Sequence, residues 1–269
     1  MNNRPIGVFD SGLGGLTAVK QLHRLLPHES IVYFGDTGRV PYGSRSRALL
    51  RQYARQDMEF LLRHHVKMVI AACGTVSSTA SDIGDALPVP FTGTVNPSAE
   101  AAVRASRSGR IGVIATAATI ASHAFRDRIL ALRPDAVVTQ QACPLLVPLV
   151  EGGFTAPDEP VTRMVLERYL APMRDAQVDT LILACTHYPI IAPAIAQVIG
   201  SGVALIDSGA AAAQWTADLL DRMNLRADRT EKGATEYYVT DLVQGFAQIG
   251  SIFLGEALTD VSHVDVSAL

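Results

Sequence analysis

The feature that most constrains the fold of this chain is a short apolar run that ends in a cysteine and occurs twice. In Lys67–Ser78 such a run leads into Cys73, and in Thr180–Ile190 a similar run leads into Cys185. Each run has the length of a buried strand, and a helix-like segment follows each cysteine. Because unpaired N–H groups at a helix start favour negative charge, both positions favour a thiolate with a lowered pKa. Two buried, unreactive cysteines are the alternative interpretation.

Short apolar strands alternate with amphipathic helices along most of the chain, which predicts parallel sheets. The pattern restarts after residue 108, where Ile111–Thr116 resembles Ile6–Ser11. This weak repeat predicts an α/β fold with two pseudo-symmetric domains, each a parallel-type sheet flanked by helices, with a cleft between them. Tyr237–Thr240 is predicted as the last strand and Leu242–Leu254 as the last helix, followed by a loosely packed end at residues 256–269.

The composition excludes several classes of protein. Net charge is −3 over 269 residues and no basic block exceeds Arg45–Arg47, so nucleic acid is not expected as a primary ligand. Three cysteines, an odd number, argue against a disulfide framework and for a reducing compartment, with Cys143 interpreted as structural. The sequence has no CxxC, HExxH or zinc-finger spacing, no apolar signal segment before Asp10 and no membrane-spanning stretch. We therefore expect a soluble cytoplasmic protein without a metal.

A glycine-rich turn follows the first predicted strand at residues 10–15. A dinucleotide-binding GxGxxG motif starting at Gly12 would need glycine at position 17, which is Thr17, and the P-loop lysine is also absent. Asp10 and Ser11 instead end a strand, where α/β proteins bind their ligands. A helix-capping role for either residue is the alternative.

Two cysteines that face one another across a cleft can move a proton between the two faces of one carbon atom. One acts as a thiolate base while the other donates its proton, which is racemisation or epimerisation at a stereocentre. Asp10 and His187 are the candidate partners that tune Cys73 and Cys185. Three alternatives remain: one nucleophilic cysteine with His187, a two-lobed protein that only binds a small acid, and, least favoured, a redox dithiol.

Five segments together resemble the glutamate racemases, cofactor-independent enzymes that supply D-glutamate for peptidoglycan. The resemblance extends from Pro5 to about Gly255. It rests on FDSGLGGLT (Phe9–Thr17), FGDTGRVPYGSRS (Phe34–Ser46), ACGTVSS (Ala72–Ser78), LACTHYP (Leu183–Pro189) and IDSG (Ile206–Gly209). It implies a homodimer that needs no cofactor or metal. It also implies a first domain of residues 1–96 plus 208–269, a second domain of residues 97–207, and an active site in the cleft between them.

The resemblance also implies the roles of individual residues. Cys73 and Cys185 are expected as the acid/base pair, with Asp10 assisting Cys73, His187 assisting Cys185, and Glu151 contributing. The residues expected to hold the substrate are Asp10, Ser11, Pro41, Tyr42, Gly43, Gly74, Thr75, Thr116, Thr119, Thr186 and His187. The many hydroxyl groups in this set suit the two carboxylates of an acidic amino acid, and aspartate is the alternative to glutamate.

One position departs from the family pattern. Glutamate racemases usually carry Asn after the first cysteine, whereas this chain has Gly74. The lost hydrogen bond from an amide to a charged carboxylate is worth about 1.5–3 kcal/mol. On sequence grounds alone, Gly74→Asn is predicted to lower KM for glutamate.

Overall fold

Residues 2–241 and 243–269 are described in the computed structural model, and they form two parallel sheets flanked by helices. The strands are β1 (Ile6–Asp10), β2 (Ile31–Gly35), β3 (Met68–Ala71), β4 (Phe91–Thr92), β5 (Arg110–Ala115), β6 (Val137–Ala142), β7 (Thr180–Leu183), β8 (Ala204–Asp207), β9 (Thr235–Val239) and β10 (Val261–His263). The predicted α/β class with parallel sheets is therefore confirmed.

The first sheet has six strands in the order β10-β9-β2-β1-β3-β4, all parallel. Its central strand β1 is buried at every position and pairs with β2 on one side and β3 on the other. Such continuous apolar runs are typical of strands covered on both faces. The parallel arrangement brings Ser11 and Cys73, which follow β1 and β3, to the same edge.

The second sheet has four strands in the order β6-β5-β7-β8, again parallel. Its strand β5 lies between β6 and β7, as β1 lies between β2 and β3 in the first sheet. Thr116 follows β5 and Cys185 follows β7, so the carboxyl edge of this sheet repeats the arrangement of the first.

Helices cover both sheets. They are α1 (Leu16–Leu25), α2 (Arg47–Arg63), α3 (Gly74–Thr79), α4 (Ser81–Asp85), α5 (Val95–Ala105), α6 (Ala117–Ser122), α7 (Ala124–Leu132), α8 (Leu146–Glu151), α9 (Pro160–Asp175), α10 (Ala192–Ile199), α11 (Ser208–Arg222) and α12 (Val243–Leu254). Helix α11 packs against α1 and α5 and leads the chain back to the first sheet, where β9 pairs with β2. This return supports the division into residues 1–96 plus 208–269 and 97–207, which stays a prediction.

The C-terminal end is more ordered than the sequence suggests. Val261–His263 form β10, which pairs in parallel with Tyr237–Val239, and a 3₁₀ turn follows at Val266–Ala268. The prediction of a loosely packed end agrees with the burial, since no residue from 256 to 269 is buried. It missed the strand, because edge pairing orders a segment too short and too exposed to be recognised by its pattern. Leu242, the predicted start of the last helix, lies outside the described residues, as does Met1. Across the rest of the chain, each helix is too short or too polar to cross a bilayer.

Candidate active site

A cavity of about 450 Å³ lies between the carboxyl edges of the two sheets. Small-molecule sites in proteins have volumes of this order. Both strand-end cysteines line it, and so does Glu151, which the sequence predicted to contribute to catalysis. Most of the residues predicted to hold a substrate also line it: Ser11, Pro41, Tyr42, Gly43, Gly74, Thr75, Thr116, Thr186 and His187. Asp10 and Thr119 are buried directly behind this lining.

Cys73 follows β3 at the turn into α3 and is almost fully buried. Its sulfur lies 3.7 Å from the Ser11 hydroxyl. Burial, together with the neighbouring charge of Asp10, raises the pKa of the Cys73 thiol to about 12. The expectation of a lowered pKa at this helix start is therefore wrong for Cys73, which is held as the neutral thiol.

Asp10 ends β1 and is buried beneath the cavity. Its Oδ2 accepts a hydrogen bond of 3.1 Å from the Gly12 N–H, whereas its Oδ1 has no hydrogen-bond partner among the described residues. Burial raises the pKa of Asp10, and the positive charge of His187 opposes that rise. An unpartnered buried carboxylate oxygen is available to accept a proton, which is the property that a partner of Cys73 needs.

Cys185 has a different set of partners. Its sulfur lies 3.9 Å from Nδ1 of His187, and Nε2 of His187 lies 2.8 Å from Oε1 of Glu151 at the end of α8. Burial alone lowers the pKa of His187, but the hydrogen bonds to Cys185 and Glu151 outweigh it and raise the pKa to about 10. The ring is therefore an imidazolium at neutral pH, and its charge stabilises negative charge on the adjacent sulfur.

The C-terminal helix α12 also reaches this site. The Phe253 ring meets the His187 imidazole edge-on, with 5.2 Å between ring centroids, and is buried. Sequence reasoning missed this contact, because an apolar residue in a helical pattern carries no sign of which distant side chain it covers. Packing of this kind restricts the ring to the orientation that serves Cys185 and Glu151.

A chain of threonine hydroxyls joins the two halves beside the cavity. Thr75 Oγ1 lies 3.0 Å from Thr116 Oγ1, which lies 3.0 Å from Thr119 Oγ1. Thr75 follows the first cysteine, whereas Thr116 and Thr119 follow β5 of the second sheet. The structure thus brings the three predicted threonines together, with Thr119 behind Thr116 and away from the cavity lining.

Tyr42 is oriented differently from the sequence expectation. It lines the cavity, but its hydroxyl is directed at the buried carboxyl groups of Asp36 and Asp57. The hydroxyl is therefore not available as a donor for a ligand, and the Tyr42–Ser44 turn presents its backbone and ring instead.

Gly74 lies where no side chain fits. A Cβ placed there would come closer than 3.0 Å to the carbonyl oxygen of Ala184, a separation that real Cβ atoms do not show. Gly14 lies in a similarly close contact, since a Cβ added there would lie 2.8 Å from Nδ1 of His187. The prediction that Gly74→Asn improves binding considered only the lost hydrogen bond, and the close backbone contact now argues the reverse.

The three cysteines are free thiols, so Cys73 and Cys185 are not joined. Among residues 2–241 and 243–269, no group of three His, Cys, Asp or Glu side chains is arranged to hold a metal ion. The arrangement consists of two separate thiols, each with its own titratable neighbour, that line one cavity.

Comparison with known proteins gives a consistent result. The pattern of the family described as Asp/Glu/Hydantoin racemase matches residues 14–216. The chain is 45% identical to a glutamate racemase of Chlorobaculum tepidum, covering 98% of this chain and 97% of that one. It is 44% identical to one of Streptococcus thermophilus, covering 99% and 97% of the two chains.

Solved structures of glutamate racemases have the same fold as this chain. The fold is similar to a glutamate racemase of Francisella tularensis in complex with D-glutamate, with a TM-score of 0.92, 37% identity and complete coverage of both chains. It is also similar to a glutamate racemase of Bacillus anthracis, with a TM-score of 0.94, 33% identity and 99% coverage of both chains. An aspartate racemase of Picrophilus torridus shares the fold at a TM-score of 0.57 and 19% identity, over 80% of this chain and 94% of that one.

Proposed function

The chain belongs to the Asp/Glu/Hydantoin racemase family and, within it, to the glutamate racemases, and we propose that it interconverts L- and D-glutamate through Cys73 and Cys185. The observation that carries the proposal is that two thiols from two different sheets line one cavity. Each thiol has its own charged partner, Asp10 for Cys73 and His187 for Cys185. A single nucleophilic cysteine would leave the other thiol and its partner without a role.

The two cysteines differ in their surroundings, which supports a different role for each in one direction of the reaction. Cys185 beside the imidazolium of His187 is the base: its thiolate takes the proton from Cα, so an S–H bond forms as the C–H bond breaks. Cys73, held as a thiol, donates its proton to the opposite face of the carbanion. The product is the mirror-image amino acid, and the enzyme is left with a Cys73 thiolate and a Cys185 thiol, ready for the reverse direction.

Asp10 and Glu151 assist the two ends of this cycle. The unpartnered Oδ1 of Asp10 can receive the proton that Cys73 must lose before it acts as a base. Glu151 holds His187 by its Nε2 and keeps the ring charged. Asp10 acts through Cys73, and Glu151 acts through His187, so we assign the making and breaking of bonds to Cα to the two sulfurs alone.

The cavity suits a substrate with two carboxylates. Hydroxyl groups of Ser11, Thr75, Thr116 and Thr186 surround it, and backbone N–H groups at residues 74 and 186 follow the strand ends. The Francisella structure is described as a complex with D-glutamate, which supports glutamate as the substrate here. Aspartate is the second candidate substrate, and an acidic amino-acid-binding protein without catalysis is the non-enzymatic alternative.

We place the enzyme in the cytoplasm, where it supplies D-glutamate for peptidoglycan without a cofactor or metal, as the resemblance implies.

We also propose a homodimer, supported by apolar side chains exposed around the start of α9, among them Phe154, Val161 and Met164. Sedimentation of the purified chain tests the dimer directly.

The decisive experiment is an assay of the purified chain with L-glutamate, without added cofactor, by chiral separation of the product. D-Glutamate formation at a rate that rises with enzyme concentration supports the proposal, and L-aspartate assayed in parallel defines the substrate. Cys143→Ser is the matched control, because Cys143 is buried but does not line the cavity. Binding of glutamate without conversion would overturn the racemase assignment and favour the binding protein.

A further inference from the structure

A cluster of charged side chains lies buried on the first-sheet side of the cavity and takes no part in the steps above. It consists of Asp36 after β2, Arg39 and Tyr42 in the following loop, and Asp57 on α2. The two carboxyl groups are completely buried, and the Arg39 side chain is nearly so. We call these four residues the Asp36–Asp57 cluster.

Arg39 connects both carboxyl groups. Its Nε lies 2.6 Å from Asp36 Oδ2, and one terminal nitrogen lies 2.9 Å from Asp57 Oδ1. The other terminal nitrogen donates a bond of 2.6 Å to Gln56. Asp36 Oδ1 accepts a further bond of 3.0 Å from the Thr240 hydroxyl beyond β9.

The charges in this cluster do not balance if both acids are ionised. Two carboxylates would face one guanidinium, and within residues 2–241 and 243–269 no second cation forms an ion pair with either acid. An uncompensated carboxylate in a dry interior is strongly unfavourable. Burial raises the pKa of Asp57 well above its usual value, and the charge of Asp36 raises it further against the opposing effect of Arg39. One proton therefore belongs in the cluster.

The position of Tyr42 indicates where that proton lies. Its hydroxyl contacts Asp36 Oδ2 at very short range and also lies 3.1 Å from Asp57 Oδ2. A phenol has one proton, so it can donate fully to only one of the two acids. When Tyr42 donates to Asp36, the second contact is satisfied only if Asp57 Oδ2 carries a proton and donates it to the phenol oxygen.

We propose that Asp57 is a neutral acid that donates to Tyr42 and thereby positions the loop whose residues Pro41–Ser44 line the active-site cavity. The loop reaches across the cleft, because the Tyr42–Ser44 turn packs against α3 of the first half and α6 of the second. Asp57 does not touch the cavity and is a positioning residue. The proposal rests on the racemase function given above.

Loss of such an anchor has a characteristic kinetic signature. If the loop occupies its binding-competent position for only a fraction of the time, the apparent KM rises by the inverse of that fraction. Saturating substrate selects the competent position, so kcat changes much less. A general loss of folding would instead lower the concentration of active enzyme and leave KM unchanged.

The test compares Asp57→Asn with Asp57→Ala, because an amide imitates a neutral acid and a methyl group does not. In the asparagine variant the amide N–H₂ can donate to Tyr42 while its oxygen accepts from Arg39. We expect KM for glutamate to stay within about threefold of the parent enzyme in Asp57→Asn and to rise at least about tenfold in Asp57→Ala, with kcat within about threefold. Glu59→Gln and Glu59→Ala are matched controls at an exposed position of the same helix.

A KM for Asp57→Asn as high as that of Asp57→Ala would show that Asp57 acts as an anion and would overturn the proposal. An unchanged KM in Asp57→Ala would show that it positions nothing. If the alanine variant does not fold, Tyr42→Phe provides the same comparison: its KM should rise about tenfold, and adding Asp57→Asn should raise it no further. Calorimetric dissociation constants for glutamate keep this test separate from the racemase assignment, since binding is measurable without turnover.

Discussion

Gly74 and Ala184 meet backbone to backbone across the cleft, and each is the immediate neighbour of one of the two cysteines that line the cavity. A Cβ at Gly74 would overlap the carbonyl oxygen of Ala184. Backbone atoms yield less readily than the end of a flexible side chain, so this contact limits how closely the two turns approach. It therefore helps to set the spacing between the Cys73 and Cys185 sulfurs, on which the proposed proton transfer to both faces of one carbon depends.

Gly74→Ala is expected to lower kcat/KM for glutamate by at least about tenfold, because a small misplacement of reacting groups has large effects on rate. Gly74→Asn should be at least as impaired, since its larger side chain meets the same carbonyl. Gly202→Ala is the matched control, at a glycine whose Cβ would meet open space. Steady-state kinetics of the three variants decide the point. A KM below that of the parent in Gly74→Asn would show that its amide binds substrate without displacing Ala184.

Cys73→Ser and Cys185→Ser are each expected to reduce racemisation in both directions by roughly 10²–10⁴-fold, the contribution of a positioned acid or base. A serine hydroxyl is a far weaker acid than a thiol, while its similar size should leave the melting temperature nearly unchanged. Cys143→Ser should retain activity. Chiral analysis of the product from either enantiomer gives the rates, and nearly full activity in either active-site variant would remove that cysteine from the mechanism.

The stability of the protein should fall as pH rises from about 8.5 to about 10, partly because of His187. The folded protein holds the His187 proton up to a pKa of about 10, whereas the unfolded chain releases it near 6.5. The thiolate that the proposed mechanism places at Cys185 offsets this extra proton until the thiols of the unfolded chain ionise at about pH 8.5. Above that pH the folded state binds one more proton, so raising the pH favours unfolding by about 1.4 kcal/mol per pH unit. Denaturant unfolding between about pH 8.5 and about pH 10 should show a shallower decline in His187→Asn. Equal slopes in the two proteins would place His187 in its neutral form.

Glu151→Gln is expected to lower the pKa of His187, because the hydrogen bond to Glu151 and its negative charge both raise it. Partial exposure of Glu151 limits the effect, so we expect a reduction in kcat of about tenfold or less. NMR titration of the His187 ring measures the pKa, and Glu59→Gln, at an exposed glutamate away from the cavity, is the control. An unchanged His187 pKa would leave Glu151 without an electrostatic role.

The sequence predicted the sheets well because buried parallel strands are continuous apolar runs. The apolar run before Cys73 forms β3, and the run before Cys185 forms β7. β10 was not predicted, since three half-exposed residues have no pattern of their own and acquire order from pairing with β9.

The candidate site was predictable where the same residue type follows two strands, as Cys73 and Cys185 do. It was not predictable where side chains far apart in sequence meet. Asp57 shows this, because nothing in α2 distinguishes it from an exposed acid until Arg39 and Tyr42 are placed beside it. The consequence of Gly74 was also hidden, since a missing side chain reveals a lost contact but not the backbone that takes its space.

The measurement that tests the two-cysteine account most directly is the early distribution of deuterium between the two enantiomers when L-glutamate is converted in D₂O. Two separate bases predict deuterium at Cα of the D-glutamate formed, because its proton comes from a solvent-exchanged thiol, and ordinary hydrogen at Cα of the L-glutamate that remains. Proton NMR after chiral separation, at a few per cent conversion, measures the deuterium content at Cα of each enantiomer. Equal deuterium in product and remaining substrate would show one base serving both faces and would contradict the account.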